Sequence, residues 1–207
     1  MPGAAGTYAG YLNGLDADVV GIQEGVNDWK IGTRMPTDYW AANSLADALG
    51  PCWEQQYQIY VNTCKGNSFV SNRRFDLTDG PNATRTGESA VITKEGKEYL
   101  FLTVHWDHES VSARAASAIE TAAEINLFDL PTILVGDFNT GCISTDPNNM
   151  ANLTGLSLIH NGGIDCLFQK GWITVTGDTF GASPSDHPGV WAELAHYQGS
   201  FDKHSHD

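Results

Sequence analysis

Five apolar runs in this chain stop at, or start just after, a side chain able to hold a metal ion or move a proton. Residues 18–22 lead into Gln23 and Glu24, residues 101–104 into His105, and residues 132–136 into Asp137, Phe138 and Asn139. Gly163 and Ile164 precede Asp165, and Asp186 and His187 stand just ahead of the apolar run at 189–194. If these runs are strands, their ends can meet at one rim, which would then carry carboxylates, an amide and two imidazoles. Carboxylate oxygens suit a hard divalent ion such as Mg²⁺, Mn²⁺ or Ca²⁺. Zinc suits the set less, since no His/Cys cluster has the spacing of a structural zinc site. Taken singly, each residue has a plain alternative. Glu24 is then an acid after a strand, Asp137 and Asn139 are turn formers, Ser185-Asp186-His187 before Pro188 is turn chemistry, and Asp165 is a charge on an edge strand.

The elements that must carry these residues follow from patterning. Short β-branched or apolar runs at 18–22, 58–61, 90–93, 99–104, 132–135, 172–176 and 189–194 read as strands. One helix is expected at 39–49, stopped by Gly50-Pro51. Another starts after Ser110, a suitable N-cap, with Val111, Ala115, Ala118, Ile119, Ala122 and Ile125 on one face. A weaker helical pattern covers 7–15. Many strands with few helices between them suggest an α+β fold of two packed sheets flanked by helices. No repeat or long linker divides the chain, so one domain is expected over 1–196, with 197–207 as a tail whose His204 and His206 are read as frayed rather than metal-binding.

Composition limits what such a rim could serve. A chain of 207 residues, 41% of them hydrophobic, can bury one sizeable core, and no apolar run reaches the 18 or so residues that a membrane span needs. Eleven basic residues against 25 acidic ones give a formal charge of −14, which argues against a protein that grips polyanions by counterion release. An acidic protein can still act on phosphate esters where a bound metal supplies the positive charge locally. The first residues lack the charged and apolar regions of a secretory signal. Four cysteines, at 52, 64, 142 and 166, allow three disulfide pairings, and an oxidising, secreted setting is the expected one.

Six segments in order, DVVGIQE (18–24), GNSFVSNRRF (66–75), TVHWDH (103–108), ILVGDFN (133–139), GIDCLF (163–168) and SDHPGVW (185–191), make the sequence resemble the endonuclease/exonuclease/phosphatase family, the relatives of deoxyribonuclease I. The likeness spans about residues 16–195. It implies a four-layer α/β/β/α sandwich of two mixed sheets and divalent-metal-dependent hydrolysis of phosphate esters. Position by position, it implies Glu24 and Asp186 as metal-side carboxylates, and Asp137 and Asn139 positioning the attacking water and the phosphate. His187 would stand at the scissile phosphate, oriented by Asp165, with His105 as the second histidine. Asn67, in the family's Gly-Asn position, would be a hydrogen-bond partner of His105. Asp107, His108 and Arg114 join Asn67 as candidate substrate contacts. Arg73, Arg74 and Arg85 lie in the same third of the chain, but surface solubility is the default for such residues.

The resemblance also bears on the cysteines and on substrate. Cys142 follows Asn139 by three residues, as in the pancreatic-type enzymes, and is expected to pair with Cys166; Cys52 is expected to pair with Cys64 across neighbouring strands. Family members begin with a strand ending in an Asn that helps bind the metal, and this chain is expected to lack both. The expected function is that of a phosphodiesterase with nuclease activity and DNA among its substrates; the alternative is a phosphatase or phosphodiesterase for small or lipid phosphates, and an inactive binding module comes last. The paired histidines and carboxylates count against the last.

Overall fold

A strand followed by a tight turn whose two central residues both take positive φ folds back on itself. Glu95 and Gly96 are such a pair, with φ of 53° and 75°. They join β5 (Arg85–Lys94) to β6 (Lys97–His105), the centre of the fold in a computed structural model that describes residues 2–23, 42–81, 85–181 and 185–196. Around this hairpin lies a six-stranded sheet in the order β4-β5-β6-β7-β9-β8, where β4 is Asn67–Leu77, β7 Thr132–Asp137, β8 Ser157–Asn161 and β9 Asp165–Lys170. Only β6 and β7 run parallel, and parallel neighbours need a long crossover, which helix α3 (Val111–Ile125) supplies.

Facing this platform are two smaller sheets. One has the order β1-β3-β2, from Val19–Gly21, Ile59–Asn62 and Trp53–Gln56; the other is the ribbon of β10 (Trp172–Phe180) and β11 (Gly189–His196). Alternation along the platform strands sends Ala90, Ile92, Tyr99, Phe101, Ile133 and Leu167 inward, where they pack against Ile59 and Val61 of one small sheet and Val190, Ala192 and Leu194 of the ribbon. The opposite face of the platform sends Leu100, Leu102, Val104, Leu134 and Phe168 against Ala118, Ala122 and Ile125 of α3 and Met150 of α4 (Thr145–Thr154). Beyond the small sheets, Ala9 and Leu12 of α1 (Pro2–Gly14) and Leu45 and Leu49 of α2 (Ala42–Leu49) cover Val20 and Tyr60. The layers are therefore helix, paired small sheets, platform, helix, the expected sandwich. Among the described residues no strand precedes β1. Val19, Val20 and Gly21 line one wall of a cavity of about 1130 Å³ whose opposite wall is β11 and whose floor includes Phe101, Val135 and Leu167.

Two expectations change. The buried face of α3 is rotated: Val111 and Ile119 are exposed, while Ser117, Thr121 and Glu124 are inside. Polar partners account for two of these, because Trp106 donates its indole N–H to Thr121 and Ser89 donates its hydroxyl to Glu124 at 2.7 Å, while the Ser117 hydroxyl is buried without a hydrogen-bond partner among the described residues. Helix α4 was not evident in the sequence; its Pro147 sits in the first turn, where the missing N–H costs little. Both disulfides pair as expected, Cys52 with Cys64 and Cys142 with Cys166. The positions 39–41, 197–207 and Glu24 lie outside the described residues.

Asn67 is a correction. Antiparallel register sets it opposite Lys94, at the far end of β5 from Arg85 and so at the far end of the sheet from His105. There its amide donates to Asp18 at 2.8 Å and to the carbonyl of Asn62, and Lys94 donates to the same carboxylate at 2.6 Å. Burial would raise the Asp18 pKa, but Lys94, Asn67 and Lys65 bring it below its usual value. A carboxyl with a depressed folded pKa stabilises above its unfolded pKa and loses that contribution as pH falls through the folded value. Asp18→Asn should therefore lower Tm by about 1–3 °C at pH 7. The gap to wild type should close in thermal melts as pH falls through the depressed folded pKa of Asp18, below which both side chains are uncharged.

Candidate active site

Register alone lines up three of the expected groups. In the β6–β7 ladder His105 is opposite Asp137, and in the β7–β9 ladder Asp137 is opposite Asp165, so adjacent strands end side by side. All three are buried, and all share the inward parity of Phe101, Ile133 and Leu167. The other layer supplies His187, from the turn that leads into β11. Its Nδ1 meets the Asp165 carboxylate, and its Nε2 lies 3.7 Å from Asp137 Oδ2. His105 Nε2 lies at the same 3.7 Å from that oxygen, so one carboxylate oxygen faces two imidazoles. Asp186, 94% exposed at its side chain, stands 3.4 Å from His187 Nε2.

Asn139 holds Asp137 in place. Its φ of 49° is tolerated by Asn better than by most residues, and it lets the backbone N–H of Asn139 turn back to Asp137 Oδ1 at 2.7 Å. The Asn139 amide then donates to the carbonyl of Trp106 at 2.8 Å, tying the loop after β7 to the loop after β6. The Cys142–Cys166 disulfide fastens the same loop to β9, beside Asp165. On the small-sheet side, Gly21 makes room for β1 to lie on the platform: a Cβ there would sit 2.6 Å from Val135 Cγ2 and 2.8 Å from Thr103 Cβ. Just beyond, Gln23 donates to the Thr103 hydroxyl at 2.8 Å.

Burial pushes the Asp165 carboxyl up to about 6; His187 opposes the rise and Asp137 adds to it. Burial alone would lower the His187 pKa, yet the carboxylates of Asp165, Asp137 and Asp186 raise it above the ordinary histidine value. The two shifts describe one shared proton, and we take the histidine as its main holder at neutral pH because three carboxylates surround it. Ligand atoms of Asp137, Asp165 and His187 all lie within 4.8 Å of one another, an oxygen-rich set that fits a divalent ion.

Two candidate substrate contacts turn out to serve their own loop. Asp107 is fully buried and accepts the backbone N–H groups of Gly80, Glu109 and Ser110, which bring its pKa down against the effect of burial. Arg114 donates to the backbone carbonyl of Asp107 at 3.0 Å and braces the same turn. His108 is exposed at the rim. In their place the structure brings up Arg85, half-buried at the start of β5, with Nη1 2.9 and 3.0 Å from the ring nitrogens of His105 and Nη2 2.9 Å from His108 Nδ1. Its signal in the sequence was only its place ahead of the strand that pairs with TVHWDH.

A family model for the endonuclease/exonuclease/phosphatase family matches residues 7–193. The chain belongs to that family. With membership comes the coarse activity, hydrolysis of phosphate esters. No curated protein matches the sequence. Among solved structures, a mannosyl-6-phosphatase of Bacteroides thetaiotaomicron VPI-5482 is 20% identical, with a TM-score of 0.73 over 93% of this chain and 90% of that one. An endonuclease/exonuclease/phosphatase from Bacteroides vulgatus is 16% identical, with a TM-score of 0.77 over 94% and 90%. D. rerio TDP2, complexed with a single-strand DNA product, is 14% identical, with a TM-score of 0.69 over 93% and 91%. At these identities the likeness shows the fold.

The His187–Asp165 pair makes a direct prediction for the metal-free protein. NMR titration of the His187 ring should give a pKa above 6.5, and Asp165→Asn should lower it, because the largest negative partner is gone. An unchanged titration in Asp165→Asn would mean that the carboxylate does not control the imidazole.

Proposed function

We propose that this member of the family is a divalent-metal-dependent hydrolase of small phosphate esters, acting by in-line attack of water on phosphorus. The observation that carries the reading is the closed group of His105, Asp137, Asp165 and His187 at one rim, with Asp137 Oδ2 equally distant from both imidazoles. The bound ion, Mg²⁺, Mn²⁺ or Ca²⁺, would be held by Asp137 and its neighbours, with Glu24 and Asp186 as further carboxylates, and would supply charge neutralisation at the phosphate. Asp137 takes the proton of the attacking water. His187, kept charged and oriented by Asp165, donates a hydrogen bond to the phosphate as negative charge builds on its oxygens; the P–O bond opposite the attacking water breaks, and the departing alkoxide takes a proton from solvent to leave as the alcohol.

A small substrate is favoured by where the cations are. Lys65 and Lys94 are paired with Asp16 and Asp18 at the far end of the sheet, and Arg73 is paired with buried Glu124. Among the described residues, this leaves no basic track along which a polynucleotide could lie at the rim, and the overall charge is −14. Nuclease activity is the second reading, supported by the complex of TDP2 with a single-strand DNA product. Secretion is part of the proposal too, since two disulfides suit an oxidising compartment.

Activity should be measured on p-nitrophenyl phosphate, bis(p-nitrophenyl) phosphate and plasmid DNA, with Mg²⁺ and with a chelator. Chelation should abolish hydrolysis. His187→Ala should lower kcat on the best substrate by about 10²- to 10⁴-fold with a much smaller change in KM. Asp165→Asn should cost less, because the imidazole remains. Wild-type turnover in His187→Ala would remove the assigned role, and cleavage of plasmid DNA in preference to both small esters would favour the nuclease.

A further inference from the structure

Arg85 is a cation whose guanidinium meets two imidazoles, while the nearby Asp107 carboxylate feels its charge without pairing with it. Its backbone N–H is fixed by Asp79 Oδ1 at 2.7 Å, which sets where the side chain starts. One guanidinium nitrogen, Nη1, is nearly equidistant from both ring nitrogens of His105, so it rests against the ring rather than along a single lone pair. The other, Nη2, reaches His108 Nδ1, and Nε is buried with no hydrogen-bond partner. Among the described residues, no carboxylate forms an ion pair with this guanidinium. Elsewhere Lys65, Lys94, Arg73 and Arg74 all have carboxylates within 4.0 Å. A half-buried guanidinium gives up hydration, and Asp107, near it but not paired with it, makes good only part of that loss.

The position of Arg85 says what anion would fit. His105 links it to Asp137: Nε2 of the imidazole is 3.0 Å from Arg85 Nη1 and 3.7 Å from Asp137 Oδ2. An anion held at the rim beside His105 Nε2 would therefore be close to a planar fork of N–H donors. Such a fork takes two oxygens of one group at once, as a carboxylate or a phosphate presents them. A phosphomonoester offers three terminal oxygens sharing close to two charges, whereas a diester offers two sharing one.

We propose that Arg85, flanked by His105 and His108, is a subsite for the terminal oxygens of a phosphomonoester dianion, so that this site prefers monoesters to diesters. The assignment rests on the phosphate-ester reading above and adds the class of ester. Arg85 binds; it takes no proton and forms no bond.

The test separates binding from turnover. Inorganic phosphate is titrated calorimetrically into wild type, Arg85→Gln and Arg85→Lys in excess Mg²⁺, after circular dichroism confirms that each is folded. Arg85→Gln should weaken phosphate binding by about 10- to 100-fold, the worth of hydrogen bonds to a charged group, and Arg85→Lys should restore part of it. In kinetics, Arg85→Gln should raise KM for p-nitrophenyl phosphate by a similar factor while changing KM for bis(p-nitrophenyl) phosphate by less than about threefold. Unchanged phosphate binding in Arg85→Gln, or equal losses on the two esters, would overturn the proposal. If Arg85→Gln does not fold, Arg85→Lys decides alone: wild-type phosphate affinity in that variant overturns the fork. If wild type hydrolyses neither ester, the phosphate-ester reading fails by itself, and the phosphate titration still judges the subsite.

Discussion

Everything at the rim depends on keeping two carboxylates close together in a place poor in water. Asp137 and Asp165 are opposite one another in the β7–β9 ladder and both are buried, so burial and the Asp137 charge together disfavour the charge of Asp165. The imidazoles answer this repulsion. His187 engages Asp165 directly, and His105 and His187 flank Asp137. A divalent ion would answer it more strongly, which is the physical link between this local geometry and metal dependence. The shared proton and the room for a cation are two responses to the same excess of negative charge.

That constraint explains the investment in the surrounding backbone. Like charges would part if the loops could move, and three ties oppose this: the Asn139 bond to the Trp106 carbonyl, the Cys142–Cys166 disulfide, and the knot of N–H groups on Asp107. Trp106 and Phe138, the residues next to His105 and Asp137, are fully buried with ring centroids 4.4 Å apart. Each strand end thus places one side chain in the site and the next in the core.

Much of this was legible in the sequence because strand ends are local signals. His105, Asp137, Asn139, Asp165 and His187 each follow or precede a recognisable run, and their meeting follows once those runs form one sandwich. What was not legible depended on long-range register. Asn67 begins an 11-residue strand, and nothing near it says at which end of the sheet that strand starts. Asp107 reads as a free acid until the loop at Gly80 is folded over it. The face of α3 was misjudged because Thr121 and Glu124 are buried against polar partners, Trp106 and Ser89, that lie far from them in sequence. Arg85 had no pattern to announce it; only pairing with β6 brings it to His105.

The layer opposite the platform is built from separate pieces. Among the described residues, β11 is bonded only to β10 and β1 only to β3, with the cavity between them. His187 rides on the ribbon, while its partners Asp165 and Asp137 belong to the platform. No backbone ladder couples the two; side-chain packing of Val190, Ala192 and Leu194 does. Cooperativity in such a layer is limited, since a ribbon can lift as a unit without unzipping the sheet beneath it. The half of the site that comes from the ribbon therefore has its own local melting equilibrium, and on warming the molecule should lose its catalytic alignment before it loses its fold.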